Sequence, residues 1–182
     1  MKKNNTLIII LAVMLISILG TALCAFCYAQ TLREPALFAC IAFGTVAAHF
    51  LIMFFSGPAV SMIFGKKFNY NSPWFQQKEF EKKLYKILRV KKWKTKVLAY
   101  DSDEYSLKKH TAEEIVMNMC HAEVVHEVIV VASYLPLLGG LFISHWGLLL
   151  LTSFVFSCFH LIFVIIQRYN RPRFIRFGRG HK

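Results

Sequence analysis

Charge is scarce in this chain, and acidic charge is scarcest. Only 18% of the 182 residues are Asp, Glu, Lys or Arg, and just ten are acidic. A globular domain that covers itself with water carries about 25%, so the composition is not that of a soluble protein. With 56% of residues hydrophobic, disorder is excluded as well, because disordered segments are poor in apolar side chains. Cysteines number five. Cys24, Cys27, Cys40 and Cys158 fall inside apolar runs and read as small buried hydrophobes, not as a disulfide framework. No internal repeat of fixed period is present. Nor is there a zinc-protease helix, which needs two histidines four apart; His121 and His126 are five apart.

What is abundant is basic charge, 22 Lys and Arg against the ten acids, a net +12. Nucleic acid as a partner would need those residues gathered on a folded soluble surface. Here they lie between long apolar runs, which points to an anionic membrane surface instead. A bilayer core about 30 Å thick takes roughly 20 apolar residues of helix. Four runs approach or exceed that length, at about 6–29, 36–65, 128–144 and 146–167, the third of them counted as a span over 120–144. The first is too long for the apolar core of a signal peptide and reads as an uncleaved span. The second, at about 45 Å of helix, must tilt or break, with Gly57-Pro58 the expected place. The third holds Pro136 and Gly139-Gly140 and either extends backward through Glu127 and Glu123 or is re-entrant. Ile143-Ser144-His145-Trp146 is so tight a link that the last two helices form an antiparallel hairpin.

Short loops rich in Lys and Arg stay cytoplasmic. Residues 66–126 hold thirteen of the 22, residues 168–182 hold six and the first three residues hold two, leaving only Arg33. The expectation is an all-α integral protein of the inner cell membrane, a single membrane domain over 1–182. It has four spans, both termini cytoplasmic, a cytoplasmic segment 66–119 and a tail 168–182. Within that segment Phe80, Leu84, Ile87 and Leu88 recur at helical spacing among Lys and Glu. They describe an amphipathic helix on the anionic inner leaflet, with Trp74 and Trp93 as interfacial anchors.

Thr111-Ala112-Glu113-Glu114 has the form of a capping box, so a helix should begin there and run into the third span. Glu123 and His126 lie about 60° apart on it, while His121 points about 160° from Glu123. Ionisable groups at the mouth of a span face a bundle interior or a wet cavity and are site candidates. A carboxylate one turn from an imidazole can fix its tautomer and raise its basicity, preparing a general base for a hydroxyl nucleophile. Glu123 and His126 are therefore the candidate catalytic pair. In the fourth span Ser153, Ser157, His160 and Gln167 form one polar stripe that must face protein; His49 and Ser56 form a shorter one in the second. Beyond it, Gln167-Arg168-Tyr169-Asn170-Arg171-Pro172-Arg173 places three arginines within six positions, suited to phosphate or carboxylate. Pro172 should prevent a plain helical continuation.

Three stretches resemble the sequence blocks of the glycosyl-4,4′-diaponeurosporenoate acyltransferases, small membrane proteins of carotenoid glycolipid biosynthesis. They are Val90-Lys91-Lys92-Trp93-Lys94, Ala122-Glu123-Val124-Val125-His126 and Gln167-Arg168-Tyr169-Asn170-Arg171-Pro172-Arg173, and the likeness runs from about Phe68 to Arg176. The first span is extra relative to that family, and Ala99 stands where an acidic residue is expected. The resemblance implies transfer of a fatty acyl group to a sugar hydroxyl of a membrane glycolipid at the cytoplasmic face. On that reading His126, oriented by Glu123, takes the acceptor's proton. Asn170, Arg171 and Arg173, with Arg168 and His160 beside them, bind the substrates, and Trp93 and Lys94 seat the amphipathic segment over the site. No metal or cofactor is called for beyond an acyl donor such as acyl-CoA or an acyl carrier protein. Two other classes fit the same residues: a non-enzymatic scaffold whose basic tail docks lipid or a partner, and a small membrane methyltransferase using S-adenosylmethionine.

Overall fold

A computed structural model describes residues 2–65, 67–94, 97, 105–142 and 145–180. The described chain is helical: α1 (Lys2–Thr31), α2 (Glu34–Phe64), α3 (Glu79–Ile87), α4 (Val90–Trp93), α5 (Ala112–Ala132), a 3₁₀ helix (Leu135–Leu141) and α6 (Trp146–Gly180). Four stretches are long and apolar enough to cross a membrane: Thr6–Thr31, Glu34–Phe64, Ala112–Leu141 and Trp146–Arg179. Their outward side chains are large hydrophobes such as Ile9, Phe26, Phe55 and Phe154, which hydrocarbon solvates without cost. Ile143, Ser144 and Ala99 lie outside the described residues.

The Thr111 box forms as expected: the Thr111 amide donates to Glu114 Oε2 at 2.8 Å and the Glu114 amide to Thr111 Oγ1 at 3.2 Å. α5 therefore starts at Ala112 and runs unbroken past Glu123 and Glu127, as the backward extension requires. The break at Pro58, one of the two alternatives for the second span, and the stop at Pro172 are not found. α2 does not break at Pro58, and α6 passes through Pro172 to Gly180. Each proline removes one helical hydrogen bond, to the carbonyl four residues before it, but the turns on both sides remain. In α6 those flanking turns are also fixed by side chains on either side of Pro172. The turns between helices use left-handed residues: Leu32 (φ 53°) between α1 and α2, Gly65 (φ 73°) ending α2, and Arg89 (φ 50°) between α3 and α4. The cysteines are all free: Cys27 and Cys158 are exposed, Cys24 and Cys40 are half-buried, and only Cys120 is buried.

The chain forms two compact units, Met1–Ser56 with Val128–His160, and Gly57–Glu127 with Leu161–Lys182. In the first, α1 approaches α2 closely at Gly20, where a Cβ would stand 2.9 Å from the Phe43 ring. His49 is buried there, its Nδ1 2.6 Å from the Thr45 carbonyl and its Nε2 3.1 Å from the Ser133 carbonyl, and its ring stacks on Phe156. Ser153, Ser157 and His160 are buried in this unit too, so their stripe faces protein. The second unit carries the ionic chemistry.

Candidate active site

In the second unit, α5 and α6 bring Glu123 against Arg168 and Arg171. Glu123 has no exposure and Arg171 has 1%. Arg168 Nη1 donates to Glu123 Oε1 at 2.5 Å, and Arg171 Nη1 donates to Glu123 Oε2. A second carboxylate comes from α3: Arg168 Nε and Nη2 both donate to Glu81 Oε1, at 3.0 and 2.6 Å. Two guanidiniums thus meet two carboxylates, and the buried charges cancel. The remaining donors go to three successive carbonyls of the loop before α3. Arg168 reaches Trp74 O and Gln76 O, while Arg171 reaches Phe75 O through Nε (3.1 Å) and Nη2 (2.6 Å). The Arg171 guanidinium also lies 5.1 Å over the Phe75 ring and 3.7 Å from Cys120 Sγ.

This lattice explains how α3 sits. A helix with an apolar face would bury that face in a soluble protein. Here Glu81 and Tyr85 are buried, while Phe80 (62%) and Ile87 (76%) are exposed. Tyr85 donates to Glu81 Oε2 at 3.1 Å and packs edge-on against Tyr169. Burial first, then the Glu81 charge, raises the Tyr85 pKa above the ordinary tyrosine value, so the phenol stays protonated and donating. Glu81 and Tyr85 escaped the sequence reading. Their signal was present as a four-residue spacing opposite Phe80 and Ile87, but it was masked by the Lys and Glu around it.

His126 lies on the next turn of α5, half-buried, with its ring stacked on Phe163 of α6 (centroids 4.8 Å apart, 13° between planes). The hydrogen bonds described for Glu123 run to arginines. His121 diverges as its spacing requires and meets Ser61 Oγ at 2.9 Å. Glu127 accepts from Trp74 Nε1 at 3.2 Å. His160 belongs to the first unit, and the other candidates to the second. Among the described residues no group of three His, Cys, Asp or Glu is placed to hold a metal.

The other basic residues are arranged differently. Trp93 Nε1 donates to the Leu88 carbonyl at 2.8 Å, closing the turn between α3 and α4, and the buried Val90 anchors α4. The next residue, Lys94, donates through Nζ to Asn170 Oδ1 at 2.5 Å and lies 4.9 Å over the Tyr169 ring. Arg173 is 4.9 Å from the same ring and donates to the Tyr169 hydroxyl at 3.1 Å. Among the described residues neither cation has a carboxylate partner. Burial and the Arg173 charge lower the Lys94 pKa below the ordinary lysine value of 10.5.

Four membrane-length helices and a charge-compensated buried lattice define a multi-pass helical membrane protein. The chain belongs to the glycosyl-4,4′-diaponeurosporenoate acyltransferase family, whose model matches residues 71–179, and it is an acyltransferase. The match agrees within three residues at either end with the likeness drawn from the three blocks. It holds every residue of the lattice and both Lys94 and Arg173, and leaves out α1 and α2. No curated protein and no solved structure matches the chain. Membership of an acyltransferase family replaces the scaffold and methyltransferase readings.

Proposed function

We propose that the chain esterifies a lipid-borne hydroxyl, the sugar hydroxyl of a membrane glycolipid, with a fatty acyl group at the cytoplasmic face of the cell membrane. The observation that carries this reading is that the family match covers the stretch in which Glu123, Arg168 and Arg171 interlock and His126 stands one turn away. The acceptor oxygen attacks the donor's acyl carbonyl carbon. A C–O bond forms, the donor's bond to its leaving group breaks, and the hydroxyl proton passes to His126 and on to the leaving group. A positioned base of this kind contributes on the order of 10² to 10⁴ in rate. Glu123 supports His126 in this scheme by tying α5 to α6 through the arginines, and the Phe163 stack fixes the ring plane. The outward Phe80 and Ile87 face of α3 lies at the membrane surface and keeps the site at the depth of a headgroup.

Lipid mass spectrometry of cells lacking the gene, complemented by wild type or by His126→Ala, tests the proposal. The expected result is a glycolipid that gains one acyl mass only with wild type. An acylated product formed equally by His126→Ala removes His126 as the base, and an unchanged lipidome with wild type removes the acceptor assignment.

A further inference from the structure

Lys94 and Arg173 hold two positive charges beside one tyrosine ring with no carboxylate opposite them among the described residues. Like charges this close repel, and cation–π contact with Tyr169 offsets only part of that. A third group adds to the demand for an anion. Asn170 accepts from Lys94 through Oδ1, which leaves the two N–H donors of its amide nitrogen out of that contact. These three side chains line an open cavity of about 310 Å³ whose other walls are Leu107, Phe174 and Phe177. That volume stands at the small end of the range for ligand sites, about 300–1,000 Å³, so it admits a headgroup with the start of a chain, not a whole lipid. Arg168 and Arg171, by contrast, are already neutralised and have spent their donors on carboxylates and carbonyls.

We propose that the cavity between Lys94, Asn170 and Arg173 is a phosphate site that holds the acyl donor by a phosphate ester, while Arg168 and Arg171 bind no ligand. The Arg173 guanidinium offers a planar fork to two phosphate oxygens, and Lys94 supplies a compact charge. Phe174, Phe177 and Leu107 take the apolar part of the donor that adjoins the phosphate. The inference rests on the acyl-transfer reading for the identity of the ligand as donor. The phosphate itself has two sources, the soluble phosphopantetheine thioesters typified by acyl-CoA, and the membrane phospholipids.

The test is a binding measurement on the full chain in phosphatidylcholine nanodiscs, by calorimetric titration with CoA and palmitoyl-CoA. Native mass spectrometry of phosphatidylglycerol retained on the protein completes it. Wild type is compared with Lys94→Gln/Arg173→Gln, with the exposed single variant Arg173→Gln in case the double variant does not fold, and with Lys94→Arg as the conservative rescue. If the soluble thioester is the source, CoA binds wild type and binds the double variant more weakly by about tenfold or more, with affinity restored in Lys94→Arg. If a phospholipid is the source, CoA is not bound, and phosphatidylglycerol is retained by wild type and lost from the variants. Equal CoA affinity and equal phosphatidylglycerol retention in wild type and Arg173→Gln overturn the site. Acyl transfer is scored separately. Charge-dependent phosphate binding without turnover leaves the site standing and removes the reaction assigned to it, whereas turnover with a donor KM unchanged in Arg173→Gln removes the site and leaves the reaction.

Discussion

Arg168 and Arg173 stand five residues apart on α6 and differ in what decides the role of a charge. Arg168 pairs with Glu81 and shares Glu123 with its neighbour Arg171, and the two arginines together cap three consecutive loop carbonyls. Arg173 rests on an aromatic ring beside a second cation and an open cavity. The first arrangement is closed to ligands and ties α3, α5 and α6 together. The second has no carboxylate opposite it among the described residues. One arginine-rich stretch therefore carries two kinds of cation, separated among the described residues by whether a carboxylate stands opposite.

The largest effect should come from breaking the closed lattice. Glu123→Ala leaves Arg171 buried without its carboxylate and is expected to cost about 3–5 kcal/mol, the usual result of stripping one partner from a buried ion pair. Thermal unfolding in detergent reads this directly, and a stability near wild type would mean that the lattice does not hold the unit together. His126→Ala, by contrast, should abolish turnover while keeping the wild-type unfolding midpoint. Loss of fold in that variant would make His126 a packing residue.

Next in size is the open cluster, where the charge on Lys94 gives a pH dependence whose sign is fixed. Its pKa is lowered, by burial first and by Arg173 second, so Lys94 loses its proton at a lower pH than an ordinary lysine. Phosphate affinity should therefore be full on the acid side and decline as pH rises through that lowered value. Among the described residues the Tyr169 ring also faces Lys94, and a Tyr169→Phe control with the same profile assigns the decline to Lys94. An alkaline decline that persists in Lys94→Arg would assign it elsewhere. The smallest effect belongs to α3. Ile87→Ser on its outward face should leave stability within about 0.5 kcal/mol, as surface changes do. It should raise the apparent KM for the membrane acceptor, measured in liposomes, and an unchanged KM would argue that this face does not meet lipid.

Much of the fold was legible in the sequence because hydrocarbon imposes simple rules on long uncharged runs, and because a capping box marks the start of α5. Prolines were the misleading signal. Pro58 and Pro172 each remove one backbone hydrogen bond, and helices fixed on both flanks absorb that loss. The site was legible in its residue types but not in its partnerships. Glu123 and His126 share a face of α5 as their spacing requires, yet only the fold places Arg168 and Arg171 opposite Glu123. Glu81 was hidden in a run of Lys and Glu, where a buried carboxylate looks like any solvated one. The contrast between Arg171 and Arg173 depends on contacts across 48 residues to Glu123, which no local pattern encodes.

A single set of melting curves tests the division between closed and open cations most directly. Wild type, Arg171→Gln and Arg173→Gln are unfolded with and without added CoA, and with and without phosphatidylglycerol in the micelle, because a ligand that binds the folded state raises the midpoint. Arg171→Gln should melt well below wild type yet keep its ligand-induced rise, and Arg173→Gln should melt with wild type and lose the rise. A full ligand-induced rise in Arg173→Gln, or its loss in Arg171→Gln, would contradict the account.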